Sequence, residues 1–212
     1  MRLQVAFDFL DLSESIRVAE EIVELVDVLE VGTVLLWREG IESIREMRRH
    51  FPDARLLADS KIADAGGTAA RLLLDAGADA VTVLGSATED TVLAVVEETH
   101  KRNRTVVGDT IGWVDALETA RFLKHLGVDE ICINASADRT PTPESYDGLA
   151  AVREALPDVD VSVAGSITTD VIPTVVKYAP NTLIVGRAVT QSVSPRKALE
   201  ELRAAIEAAD AE

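Results

Sequence analysis

"LLADSKIADAGG" (residues 56–67) opens as a buried strand, turns charged at Asp59, Lys61 and Asp64, and reaches a Gly66-Gly67 pair. It reads as one strand, its polar exit and the entrance to a helix. The same grammar recurs outward from it in both directions. Short runs rich in Val, Ile and Leu predict strands at Leu3–Phe7, Val28–Glu30, Arg55–Ala58, Ala80–Val83, Thr105–Gly108, Glu130–Ile133, Asp160–Ala164 and Thr182–Val185. Between them, amphipathic stretches such as "SESIRVAEEIVELV" (13–26), "GIESIREMRRHF" (40–51) and "DTVLAVVEETHKR" (90–102) predict helices. Ser13 and Thr88 fit N-caps, and Gly127 fits a helix stop after "RFLKHLG".

The eight runs end near residues 8, 30, 59, 84, 108, 134, 165 and 186, so the gaps are 22, 29, 25, 24, 26, 31 and 21 residues. Each gap holds about one βα unit. Eight units with nothing left over predict an α/β fold of the (β/α)8 (TIM) barrel type, as a single domain over residues 1–212. An open doubly wound sheet is the competing fold, but it usually carries a glycine-rich turn after its first strand, and "AFDFLDLSES" (6–15) has no glycine. The one long loop, "ASADRTPTPESYDG" (135–148), is a candidate mobile flap after strand six.

Composition narrows the function. A length of 212 residues with 47% hydrophobic content suits one well-buried core. No apolar run of about 18 residues is present to span a bilayer, and "MRLQVAFDFLD" lacks the apolar core of a secretory signal. The lone cysteine, Cys132, has no internal partner, so the expected location is the cytoplasm. Lys and Arg number 21 against 37 Asp and Glu, a net charge of -16, which argues against a nucleic-acid partner. An acid-rich surface with few lysines suits concentrated salt or reflects genome composition.

A barrel of this kind builds its active site at the C-terminal ends of its strands. Those positions carry Asp8, Glu30, Asp59 with Lys61, Gly85, Asp109, Asn134, Gly165-Ser166 and Gly186-Arg187. Converging carboxylates repel one another at neutral pH, and either Lys61 or a divalent cation relieves them. Two carboxylates completed by water and substrate suit Mg²⁺. Glycines after strands seven and eight, with Arg187 as a bidentate donor, fit a phosphate group. Lys61, flanked by anions, is expected to stay protonated as a fixed cation rather than form a Schiff base. His50, His100 and His125 fall at helix ends, so histidine acid–base catalysis is not expected.

In register with these units, "DSKIAD" (59–64) resembles the Asp-x-Lys-x-x-Asp motif of the orotidine 5′-monophosphate decarboxylase superfamily. The resemblance runs from "LQVAFD" (3–8) through "VLEVGT" (28–33) and "VTVLG" (81–85) to "VAGSI" (163–167) and "IVGRAVT" (184–190). Glu30 is an acid where the metal-free decarboxylases carry a lysine. It is similar to the metal-dependent branch that contains 3-hexulose-6-phosphate synthase and 3-keto-L-gulonate-6-phosphate decarboxylase. The resemblance implies a Mg²⁺-dependent carbon–carbon lyase acting on a small sugar phosphate through a cis-1,2-enediolate. Glu30 and Asp59 correspond to the metal ligands, Lys61, Asp59, Asp109 and Asn134 to catalytic positions, and Asp64 to a residue that reaches the neighbouring subunit's site in a homodimer. Asp8, Asp138, Gly165, Ser166, Gly186 and Arg187 are the substrate-binding candidates.

Asp109 resembles the synthase, as does the shape of "ICINASAD" (131–138), although Asn134 stands where the synthase has a histidine. "VGTVLLWREG" (31–40) and "VGRA" lie nearer the decarboxylase, but Ala137 stands where that enzyme has an arginine. The first reading is addition of ribulose 5-phosphate to formaldehyde, the second is decarboxylation of a keto-sugar-acid phosphate, and the third is a sugar-phosphate binding protein without turnover.

Overall fold

Eight parallel strands close into a ring in sequence order, β1 to β8, with β1 completing the circle against β8. The computed structural model describes residues 1–112, 115–136 and 142–210. The strands are β1 Arg2–Phe7, β2 Val28–Val31, β3 Leu56–Ile62, β4 Ala80–Leu84, β5 Thr105–Asp109, β6 Glu130–Asn134, β7 Asp160–Ala164 and β8 Thr182–Val185. Around them lie α1 Leu12–Ile22, α2 Thr33–Glu39, α3 Glu42–His50, α4 Gly66–Asp75, α5 Glu89–His100, α6 Ala116–His125, α7 Asp147–Ala155, α8 Ile172–Val176, α9 Arg187–Thr190 and α10 Pro195–Asp210.

The β-branched runs form strands because both faces are covered. Outward-facing side chains such as Val5, Phe7, Leu29, Val31, Val81 and Val83 pack under the helices in the large core. Inward-facing Val28, Leu57, Ala80, Val107, Cys132 and Ala164, with Ile184, make a separate apolar layer that plugs the barrel. Cys132 is buried in that plug, and burial pushes its thiol well above its usual value. Beneath the plug, Arg2 bridges Glu130 and Asp160 at 2.8 Å each and forms a charged floor. Above it, inward positions become polar and make the mouth.

Two local expectations change. The N-cap of α1 is Asp11, whose Oδ1 accepts from Glu14 N at 3.0 Å, because the helix starts one residue before Ser13. Strand β3 continues four residues past Ala58, through the charged segment, because a bulge keeps it paired. Thr88 caps α5 as expected, Gly127 turns the chain out of α6 at φ +88°, and the three histidines are the last residues of α3, α5 and α6. The 135–148 segment resumes as a short 3-10 turn at Pro143–Tyr146, while Ala137 and Asp138 lie outside the described residues. No helix among the described residues is long and apolar enough to cross a membrane.

Candidate active site

The bulge in β3 builds the centre of the mouth. Ala58 pairs with Val81 and Ile62 with Val83, so three residues, Asp59, Ser60 and Lys61, stand opposite Thr82 alone. The backbone accommodates them by putting Lys61 at φ +45°, a left-handed conformation that costs a non-glycine residue about 1–3 kcal/mol. Asp59 and Lys61 then meet: Lys61 Nζ lies 2.5 Å from Asp59 Oδ2 and 3.4 Å from Asp109 Oδ2.

Every oxygen of these two acids is held. Thr82 Oγ1 donates to Asp59 Oδ1 at 3.0 Å, and Thr33 Oγ1 reaches Asp59 Oδ2 at 2.7 Å. Asp109 Oδ1 accepts from Ile111 N at 2.8 Å, and its Oδ2 accepts from Asn134 Nδ2 at 3.0 Å. On β2, buried Glu30 accepts from Gln4 Nε2 at 2.6 Å. At the rim, Asp8 Oδ1 accepts from Val34 N at 3.3 Å and senses the charge of Arg187.

The electrostatics follow. Burial works to lower the Lys61 pKa, but Asp59, Asp109 and Glu30 together overcome it and raise it above its usual value, so the ammonium is fixed. Glu30 is pushed well above the usual carboxylate range by burial and by the neighbouring Asp59, against the bond from Gln4. Asp109, 2% exposed, is raised by burial, with Lys61 pulling the other way. Asp8 is raised by lost hydration, less the lowering by Val34 N–H.

Four carboxylates thus share the Lys61 ammonium, and among the described residues the hydrogen-bond donor to Glu30 is the Gln4 amide. A hard cation between Glu30 and Asp59 would supply the missing charge. Among the described residues no group of three or more His, Cys, Asp or Glu stands ready to hold a metal alone. Its remaining ligands would be water and substrate oxygens, the coordination Mg²⁺ accepts.

The phosphate candidates lie across the mouth. Gly165 at φ +102° lets its backbone touch the β6 loop, where a Cβ would come 1.9 Å from Ala135 O. Ser166 follows at φ +52°. No helix starts there: the chain turns for several residues before α8 begins at Ile172. Gly186 does open a helix, α9, whose first residue is the exposed Arg187.

Asp64 stands apart from these groups. It is exposed, and among the described residues its side chain bonds only the Ala65 N–H, at 2.7 Å. Gly66 serves its own subunit, since a Cβ there would meet Thr91 O of α5 at 2.3 Å. Sequence reasoning passed over Gln4, Thr33 and Thr82. Strand alternation held the signal for two of them: Gln4, Ala6 and Asp8 share one face of β1 and its exit, as Ala80 and Thr82 share one face of β4.

A model of the orotidine 5′-phosphate decarboxylase / HUMPS family matches residues 1–202. The chain belongs to that family. Within it, the 3-hexulose-6-phosphate synthase of Bacillus subtilis (strain 168) is 31% identical over 204 residues, 96% of this chain and 97% of the relative. A crystal structure of a 3-hexulose-6-phosphate synthase superposes with a TM-score of 0.90 at 37% identity, covering 97% of this chain and all of that one. KGPDC from Streptococcus mutans superposes at 0.90 with 29% identity, over 98% of this chain and 97% of its own. The family model therefore spans all eight strands of the barrel.

Proposed function

We propose that the chain is a Mg²⁺-dependent sugar-phosphate lyase of the 3-hexulose-6-phosphate synthase kind, adding ribulose 5-phosphate to formaldehyde. The observation that carries this reading is the Asp59–Lys61–Asp109 contact beside buried Glu30, at the mouth of a family barrel whose full-length relatives are named for that reaction. Glu30 and Asp59 would hold Mg²⁺, which when bound supplies a second positive charge for substrate oxygens.

Lys61 faces the oxygen on which charge develops as a proton leaves the carbon beside the ketone, and its charge is fixed before substrate arrives. Asp109 is the buried carboxylate placed to take that proton, oriented by Ile111 N and Asn134. Asn134 orients; an amide does not carry a proton at neutral pH. The resulting carbanion attacks formaldehyde, and the new alkoxide takes the proton back. Gly165, Ser166, Gly186 and Arg187 bind the phosphate, with Asp8 beside Arg187. The active form is a homodimer in which Asp64 of one subunit completes its partner's site, and its compartment is the cytoplasm.

The 29% identity to KGPDC at a TM-score of 0.90 supports a second reading, decarboxylation of a 3-keto-gulonate phosphate. One experiment separates them: purified protein assayed with ribulose 5-phosphate and formaldehyde, and with the keto-acid phosphate, with Mg²⁺ and with chelator. Aldol product only with Mg²⁺ supports the synthase. CO₂ release alone supports the decarboxylase. Sugar-phosphate binding without turnover or solvent proton exchange would make the chain a binding protein.

A further inference from the structure

The bulge that unites Asp59 and Lys61 is held by one residue of the neighbouring strand. Thr82 on β4 is 5% exposed and sits alone opposite the three bulged residues. Its hydroxyl accepts from Lys61 N at 2.8 Å and donates to Asp59 Oδ1 at 3.0 Å. Its carbonyl accepts from Ser60 Oγ at 3.2 Å. One threonine therefore contacts all three residues of the bulge, and its hydroxyl uses both donor and acceptor capacity to do so.

We propose that Thr82 is a positioning residue of the reaction: its hydroxyl fixes the β3 bulge that brings the Asp59 carboxylate and the Lys61 ammonium together. Lys61 N has no ladder partner on β4, since regular pairing stops at Ala58 and resumes at Ile62. Without the hydroxyl, this N–H and Asp59 Oδ1 each lose a buried partner, and the left-handed Lys61 loses a bond that compensates its strain. The nearest relaxation is a shift of β3 toward regular pairing, which leaves Asp59 and Lys61 on one face of the strand but spreads their side chains apart. Serine should serve, because the methyl takes part in none of these bonds. Valine should not, although it fills the same space.

The inference rests on the lyase reading for its kinetic consequence and on geometry for its structural one, so the two fail separately. Thr82→Val and Thr82→Ser are compared with wild type by steady-state kinetics with ribulose 5-phosphate and formaldehyde, thermal unfolding and crystal structures. The valine variant is expected to fold and to lose about 10- to 100-fold in kcat, the usual loss when a hydrogen-bond partner of a functional carboxylate is removed. KM for the sugar phosphate should hold, since Thr82 is on β4 and the phosphate candidates follow β7 and β8 on the other side of the ring. The serine variant should recover most of the loss, which a packing role would not allow. The structure of the valine variant should show Lys61 Nζ moved from Asp59 by more than about 0.5 Å, the tolerance of a working site. Wild-type kcat in the valine variant, equal losses in both variants, or an unmoved Lys61–Asp59 pair would each overturn the proposal. Should valine prevent folding, a serine variant as impaired as Thr82→Ala would overturn it. A wild type inactive on these substrates would sink the lyase reading, and the crystal structures would still decide the role of Thr82.

Discussion

Lys61 Nζ lies 2.5 Å from Asp59 Oδ2, although the two residues are two apart on one strand and Lys61 itself is at φ +45°. A regular strand points such side chains the same way but does not press them together. The bulge does, at a conformational cost that surface ion pairing would not repay.

Lys61→Ala should therefore lower kcat by about 100- to 1,000-fold, the scale for loss of one preorganised group facing a developing oxyanion. Because its pKa is raised, Lys61 is a poor amine nucleophile at neutral pH. Borohydride added during incubation with ribulose 5-phosphate should leave no mass adduct on the protein. A trapped adduct on Lys61 would replace the fixed-cation role with Schiff-base chemistry.

Arg187→Ala should act mainly on KM. Its guanidinium is exposed at the start of α9, where a phosphate would be held equally in the ground and transition states. A rise in KM for the sugar phosphate of about 10-fold, with kcat nearly kept, is the expected result for one lost charge-assisted pair. A large fall in kcat at constant KM would instead give Arg187 a part in the chemical step.

The floor of the barrel predicts a pH dependence separate from the mouth. Glu130 is raised above its usual pKa by burial, with Asp160 adding to the shift and the bridge from Arg2 opposing it. The folded state therefore holds this proton where the unfolded state has released it. As pH rises from the ordinary carboxylate value, about 4.3, to the raised folded value, Glu130 costs stability, and the cost is constant above that window. Glu130→Gln should gain stability over wild type as pH climbs through the window, read by urea unfolding at a series of pH values. Activity should be unchanged, because the apolar layer separates floor from mouth. A difference independent of pH would mean that the Arg2 bridge outweighs the burial cost.

The barrel was legible in the sequence because hydrophobic runs buried on both faces stand out from amphipathic helices, and seven of the eight strands begin and end within a residue or so of their expected places. β3 was not, because Asp59, Ser60 and Lys61 read as a loop; the hydroxyl and carbonyl of Thr82, with Thr33 bonding the Asp59 carbonyl, hold them beside the sheet. The acids and the lysine of the site were visible as polar residues at strand ends. Their supports were hidden: Gln4 and Thr82 because a buried polar residue in an apolar run gives no sign of its partner until register is known, and Thr33 because it opens a helix and reaches a neighbouring strand. Asp11 took the cap expected at Ser13 because both residue types suit an N-cap two positions apart, and the pattern alone does not say at which the helix begins.

Asp64 gives the sharpest test of the dimer. It shares the motif with Asp59 and Lys61, yet it is exposed, and among the described residues its side chain bonds only the next residue's N–H. In a two-fold dimer, an exposed group beyond its own strand end can enter the partner's mouth, and symmetry repeats the exchange. Lys61→Ala and Asp64→Ala should each be inactive alone. Mixed after subunit exchange, half of the dimers are heterodimers, and each of those carries both lesions in one site and none in the other. Activity should return to about a quarter of wild type, the fraction of intact sites that random pairing in a two-fold dimer leaves. If exchange is demonstrated by mass and no activity returns, each barrel works alone, and Asp64 acts within its own subunit.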